Sequence, residues 1–161
     1  MLVFSSFTEN LQRLQLNLTG RGIATLGFHS KVSPLERARN VLKFQQQHTQ
    51  VSVFLMSSRM ASCGLTLTAA TCVVMMEPQH LAGLEQQAMD RVHRIGQARD
   101  VVVHRLVSTL PTASGAESIE QRMITQQSSG IAVAGAAGLR ANDRSILRNK
   151  ELHHLLFGVE N

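Results

Sequence analysis

Neither tryptophan nor tyrosine occurs among these 161 residues, and six phenylalanines supply every aromatic ring apart from histidine. With 43% hydrophobic residues, the chain still has apolar mass for the core of one domain, and that core must be largely aliphatic. The same share excludes disorder over the whole length. Cysteine is scarce as well. Cys63 and Cys72 stand nine apart, which gives neither a disulfide framework nor zinc spacing. Their small and apolar neighbours mark them as reduced, mostly buried thiols. No apolar run reaches membrane-spanning length, and no charged lead opens onto a cleavable signal. No Gly-x-x-x-x-Gly-Lys-Ser/Thr phosphate loop occurs; Gly20-Arg21-Gly22-Ile23-Ala24-Thr25 has neither the spacing nor the lysine. No Asp-Glu box follows any strand-like run, and no Gly-x-Ser-x-Gly elbow is present. His80, His93 and His104 fall on separate elements, and the adjacent pair His153-His154 cannot share a helix face, so no metal site is expected.

What is present is a series of short apolar runs divided by helical spacing. Met1–Phe4, Ile23–Phe28, Val51–Met56, Cys72–Met76 and Val101–Val107 read as strands. Leu11, Leu14 and Leu18 place a helix over about 8–18, ended by Gly20 and Gly22. Ser33-Pro34-Leu35-Glu36 is a helix start: a capping serine, proline in the first turn, and glutamate at the third position. Strands apolar on both faces and separated by helices predict an α/β domain with a mostly parallel sheet of five or six strands and helices on both faces. Right-handed crossovers then bring the carboxyl ends of the strands to one edge, where function collects in such sheets. Ser5-Ser6, His29-Ser30, Ser57-Ser58-Arg59 and Glu77-Pro78 all follow strand-like runs. Beyond the sheet, Glu117–Gln126 predicts a short helix, residues 127–144 a small-residue linker, and residues 145–161 a further helical segment. These boundaries give a domain over 1–126.

The charge is mild, with 16 Lys and Arg against 11 Asp and Glu, a net +5 that favours phosphate-rich partners. The run Gln87-Ala88-Met89-Asp90-Arg91-Val92-His93-Arg94-Ile95-Gly96-Gln97 concentrates two of the arginines. Three apart, Arg91 and Arg94 share a face if the segment is helical, and such a pair suits the grip of phosphate oxygens. The same pair also suits a solvated helix end that answers the helix dipole.

This run fits Gln-Ala-x-Asp-Arg-x-x-Arg-x-Gly-Gln at every fixed position, and so resembles motif VI of the SNF2 family of DNA-dependent ATPases. Val3-Phe4-Ser5-Ser6-Phe7 resembles motif IV. Ser57-Ser58-Arg59 through Gly64-Leu65-Thr66-Leu67-Thr68-Ala69-Ala70 resembles motif V, and Ser118–Met123 resembles the helix that follows motif VI. The resemblance runs over about residues 1–125. It implies a three-layer RecA-like lobe, the second of two, with ATP and magnesium bound mainly by a first lobe that this chain does not contain. It further implies that Arg91 and Arg94 reach the terminal phosphate, with Arg94 as the finger. Gln87 and Gly64 would stand at the nucleotide site, and Ser6, Ser57, Ser58 and Arg59 beside the DNA backbone. The implied partners are double-stranded DNA without sequence preference, the first lobe and nucleosomes, in the nucleus, with no membrane.

The sequence departs from the family pattern in two places. Met60-Ala61-Ser62 stands where Ala-Gly-Gly is usual, with Cys63 before the retained Gly64 and Thr66 at a usual Asn. Glu77-Pro78-Gln79-His80 stands where Asp-Pro-Trp-Trp is usual. These changes support an alternative in which the lobe is a non-catalytic DNA-binding or protein-docking module, whereas the complete motif VI supports the ATPase. The missing phosphate loop predicts that the chain alone does not hydrolyse ATP and that it is part of a larger machine.

Overall fold

Strand β1 (Leu2–Ser5) is buried at all four positions, and its neighbours lie on both sides. This is a computed structural model, and it describes residues 1–46, 50–110 and 117–136. The elements that follow in chain order are α1 (Thr8–Gly20), β2 (Thr25–Phe28), α2 (Pro34–Gln45), β3 (Val53–Ser57), β4 (Cys72–Met75), α3 (Ala82–Met89), β5 (Val102–Arg105) and α4 (Ile119–Ala136). A 3-10 turn, Ser58–Cys63, follows β3 directly. The five strands lie in the order β2-β3-β1-β4-β5 and every pairing is parallel. Leu2 is paired with both Phe54 and Val73, and Ser5 with Ser57, so β1 and β3 end level with each other.

The alternation of side chains across the pleat makes the layers. Leu2, Phe4, Phe54, Met56, Val73 and Met75 face one side, where Phe44 of α2 and Ala88 of α3 pack on them. Val3, Val53 and Leu55 face the other, against Leu11 of α1. The result is the expected α/β fold, a parallel sheet with helices on both faces, of the three-layer RecA-like kind. Three phenylalanines pack together: Phe44 and Phe54 lie 4.9 Å apart and tilted, with Phe28 at 6.2 Å from Phe54.

Local signals behave as the sequence indicates. Ser33 caps α2, its Oγ accepting from the Glu36 amide at 3.3 Å, with Pro34 in the first turn. Helix α1 closes with the Ile23 and Arg21 amides both on the Leu18 carbonyl at 3.0 Å and Gly22 left-handed at φ 75°, a glycine-terminated C-cap. β5, at one edge of the sheet, is present but exposed at all four residues, whereas β2 at the other edge is half-buried to buried.

Three expectations are corrected. α4 continues to Ala136 and does not stop at Gln126, so residues 127–136 are helix and not linker. Ala132, Ala134 and Ala136 are strong helix formers that outweigh Gly130. Cys63 is exposed, because it ends the surface 3-10 turn, while Cys72 is half-buried. The helix that carries Gln87 ends at Met89, ahead of both arginines. The helix expected within residues 145–161 lies outside the described residues.

The chain divides into two compact units, 1–77 with 84–106, and 78–83 with 107–161. The first holds the sheet. In the second, Ser118 and Gln121 form a reciprocal cap on α4, the Gln121 amide on Ser118 Oγ at 3.1 Å and the Ser118 amide on Gln121 Oε1 at 2.8 Å. Gln127 of the same unit donates to the Gln79 carbonyl.

Candidate functional site

Because all strands are parallel, Ser5, Phe28, Ser57 and Met75 end on one edge of the sheet. At that edge the Glu77 carboxylate joins two strand ends. It accepts from Ser5 Oγ at 3.0 Å and from the Ser6 amide. In the family pattern this position is a shorter acid, Asp. The longer Glu77 reaches the backbone of Ser6 and fixes where the chain turns out of β1.

Ser57 and Ser58 are 5% and 8% exposed, whereas Arg59 stands in solvent. Of these three, Arg59 is the side chain open to solvent. The 3-10 turn then ends at Gly64, left-handed at φ 70° with no atom within 4 Å of an added Cβ. Glycine is needed there for its backbone conformation and not for space. The turn brings Met60 to Arg37, whose NH1 lies 3.4 Å from the thioether sulfur while the guanidinium sits over the Phe28 ring at 5.7 Å.

The loop 64–70 lies against the arginine segment. Leu67 N donates to the Arg91 carbonyl at 2.7 Å. Arg94 NH1 donates to the Gly64 carbonyl and to Thr66 Oγ1, both at 3.1 Å. Gln97 Nε2 donates to the Thr68 carbonyl at 2.9 Å and the Ala70 carbonyl at 2.8 Å, and Arg99 reaches the Ala69 carbonyl at 2.9 Å. Arg91 Nε returns to the Gln87 carbonyl at 3.0 Å. After Met89 the backbone tightens into three-residue bonds, Val92 N on the Met89 carbonyl and Gln97 N on the Arg94 carbonyl, both at 2.9 Å, and Gly96 turns at φ 100°. Arg91 and Arg94 are therefore brought together by turns braced on the loop, and not by a shared helix face. With Asp90, His93 and Ile95 they line an open depression of about 490 Å³. Arg94 and Gly64, chosen separately from sequence, are in direct contact; Gln87 is joined to Arg91 by its carbonyl.

Farther back, Arg105 at the end of β5 forms an ion pair with the buried Glu85 of α3. His29, 2% exposed at the end of β2, has neither ring nitrogen paired among the described residues. Burial lowers its pKa from the usual 6.5, and the nearby Arg37 charge lowers it further. Among the described residues no three His, Cys, Asp or Glu side chains gather as a metal site, and no helix is long and apolar enough to cross a membrane.

A parallel sheet whose carboxyl edge carries an arginine pair braced on a glycine-ended loop is a RecA-like α/β lobe. A match to the helicase conserved C-terminal domain spans residues 1–96. The chain belongs to this domain family, on its SNF2 branch of DNA helicases and ATPases. It is 35% identical over 159 residues to the human DNA excision repair protein ERCC-6-like, covering 99% of this chain and 12% of that protein. It is 33% identical over 124 residues to the ATP-dependent DNA helicase DDM1 of Arabidopsis thaliana, covering 77% and 15%. The DNA repair protein RAD5 of Cryptococcus neoformans is 34% identical over 136 residues, covering 84% and 11%. The chain thus spans between 11% and 15% of these relatives' lengths. Among solved structures, the C-terminal part of the Fun30 ATPase domain superimposes with a TM-score of 0.67 at 25% identity, over 77% of this chain and 38% of that one.

Proposed function

We propose that this chain is the second lobe of an ATP-dependent, DNA-translocating SNF2 machine, and that it supplies Arg94, with Arg91 beside it, to the terminal phosphate of ATP held on a first lobe. The observation that carries this reading is the bracing of Arg94 on Gly64 and Thr66 at the carboxyl edge of the sheet. NH1 alone makes those bonds, and among the described residues the other guanidinium nitrogens remain for an anion. A fixed cation where charge develops stabilises the transition state without reorganising. The lobe places Arg94, and Gln87 fixes Arg91 through its carbonyl. Magnesium neutralises the phosphates when bound; with no gathered carboxylates among the described residues, its ligands would come from the first lobe.

Arg59 takes the DNA backbone in this reading, with Ser6, Ser57 and Ser58 around it. The contacts are to phosphate, so binding is indifferent to sequence and falls with salt. Nuclear location and nucleosomal substrates accompany the reading, in line with the repair and helicase names of the relatives. The test is a pair of variants in a polypeptide that joins a first lobe to this chain. Arg59→Ala is expected to weaken duplex binding and reduce its salt dependence. Arg94→Ala is expected to leave DNA affinity in place and lower DNA-stimulated hydrolysis about a hundredfold or more. Full hydrolysis with lost DNA affinity in Arg94→Ala would instead make the finger assignment wrong and the arginine segment a DNA-binding patch.

A further inference from the structure

Gln45 is the last residue of α2 and lies outside both arginine and DNA-facing segments. Its side-chain amide grips the loop twice: Nε2 donates to the Thr66 carbonyl at 2.9 Å, and Oε1 accepts from the Ala69 amide at 2.9 Å. A primary amide offers one donor and one acceptor side by side, so it imitates a neighbouring strand's peptide group; a carboxylate or an ammonium cannot do both. The residue it holds, Thr66, is the one whose hydroxyl receives Arg94. Among the described residues the other side chains that hydrogen-bond to this loop, namely Arg94, Gln97 and Arg99, come from the arginine segment itself and would move with it, while Leu67 and Ala70 anchor the loop by burial in the core. Gln45 comes from a helix pinned to the core, because the residue before it, Phe44, is 3% exposed and packed on Phe54.

We propose that Gln45 is a positioning residue for Arg94, acting through the backbone of residues 66–69; the proposal rests on the reading of Arg94 as the phosphate-facing arginine. Gln45 ties the loop, and through it the arginine segment, to the sheet. Without the clip Leu67, Ala70 and Val92 still anchor the loop and segment in the core, but the backbone at 66 and 69 is released, and the Thr66 hydroxyl that receives Arg94 shifts with it. A small displacement of a charge-stabilising group costs rate and leaves ground-state binding nearly untouched.

The experiment measures DNA-stimulated ATPase in the joined two-lobe polypeptide for Gln45→Ala and Gln45→Met, each alone and with Arg94→Ala. The methionine variant keeps side-chain length and removes both hydrogen bonds. Each Gln45 variant is expected to lower kcat about tenfold, to leave KM for ATP within about twofold, and to cause no further loss in the Arg94→Ala background. Were Arg94→Ala itself to keep full kcat, the reading of Arg94 would fall and this proposal with it. A loss in Arg94→Ala, together with unchanged kcat in both Gln45 variants or an equal loss in both backgrounds, overturns the positioning role and leaves the reading of Arg94 standing. Collapse of the folded state in both Gln45 variants makes Gln45 a structural strut and likewise overturns it.

Discussion

Gln97 offers the sharpest stability test of how the loop and arginine segment hold together. Its Nε2 donates to the Thr68 and Ala70 carbonyls at 2.9 and 2.8 Å, with the Val92 carbonyl at a marginal 3.5 Å. Its Oε1 accepts from the Arg99 amide at 3.1 Å. Gln97→Leu keeps most of the volume and removes all of these. Each of the two short bonds contributes about 1 kcal/mol net, and leaving the buried Ala70 carbonyl without a donor adds to the loss. The sum is about 2–3 kcal/mol. For a folded unit of this size that lowers the unfolding midpoint by roughly 8 °C or more. Gln97→Glu is expected to be at least as damaging, because it turns an acceptor toward two carbonyl oxygens. Thermal unfolding followed by circular dichroism measures both variants. An unchanged midpoint in Gln97→Leu, or Gln97→Glu more stable than Gln97→Leu, would refute the reasoning.

Further predictions concern the sheet and its edge. His29 is buried and its pKa is lowered first by burial and then by Arg37, so the unfolded chain takes up the proton more readily. Stability is complete above the usual 6.5 and declines as pH falls from there through the lowered folded value; urea titrations between about pH 8 and 5 should show this slope, and His29→Gln should flatten it. Arg105→Ala removes the cation paired with the nearly buried Glu85 and is expected to cost about 2 kcal/mol, below the usual range for a buried pair because Arg105 is 38% exposed. Arg105→Lys should recover part of this in the same unfolding assay, and equal losses in both variants would contradict an ionic role. Gly64→Ala meets no clash but must hold φ 70°, so it should cost about 1–2 kcal/mol; no loss would show that the turn relaxes to another conformation.

Much of the fold was legible because the central strands are buried on both faces. Their apolar runs therefore stand out from the helices between them, and the polar residues after them mark the carboxyl edge of the sheet. Ser33-Pro34-Leu35-Glu36 was legible because a cap is a local interaction. The end of α3 was not. Gln87–Gln97 has helical composition, and what stops the helix is distant in sequence: the Arg91 carbonyl is taken by Leu67 N, and the Gln97 side chain by Thr68 and Ala70. Ser57 and Ser58 look like surface polar residues beside Arg59, and only the turn after β3 places them below it. Gln45 had no sequence signal, since a glutamine at the end of a helix ordinarily reads as solvated. The extension of α4 was masked by Ser128-Ser129-Gly130, where weak propensity is outweighed by the alanine-rich residues that follow.

The central claim is that Arg94 meets charge that develops on the terminal phosphate. It is tested most directly by nucleotide affinity in the joined two-lobe polypeptide, comparing ADP with ADP plus aluminium fluoride, a mimic of the transferring phosphoryl group. The account predicts that the mimic binds much more tightly than ADP alone, and that Arg94→Ala removes about a hundredfold or more of that preference while ADP affinity stays within about twofold. An Arg94→Ala protein that keeps the full preference for the mimic would contradict the account.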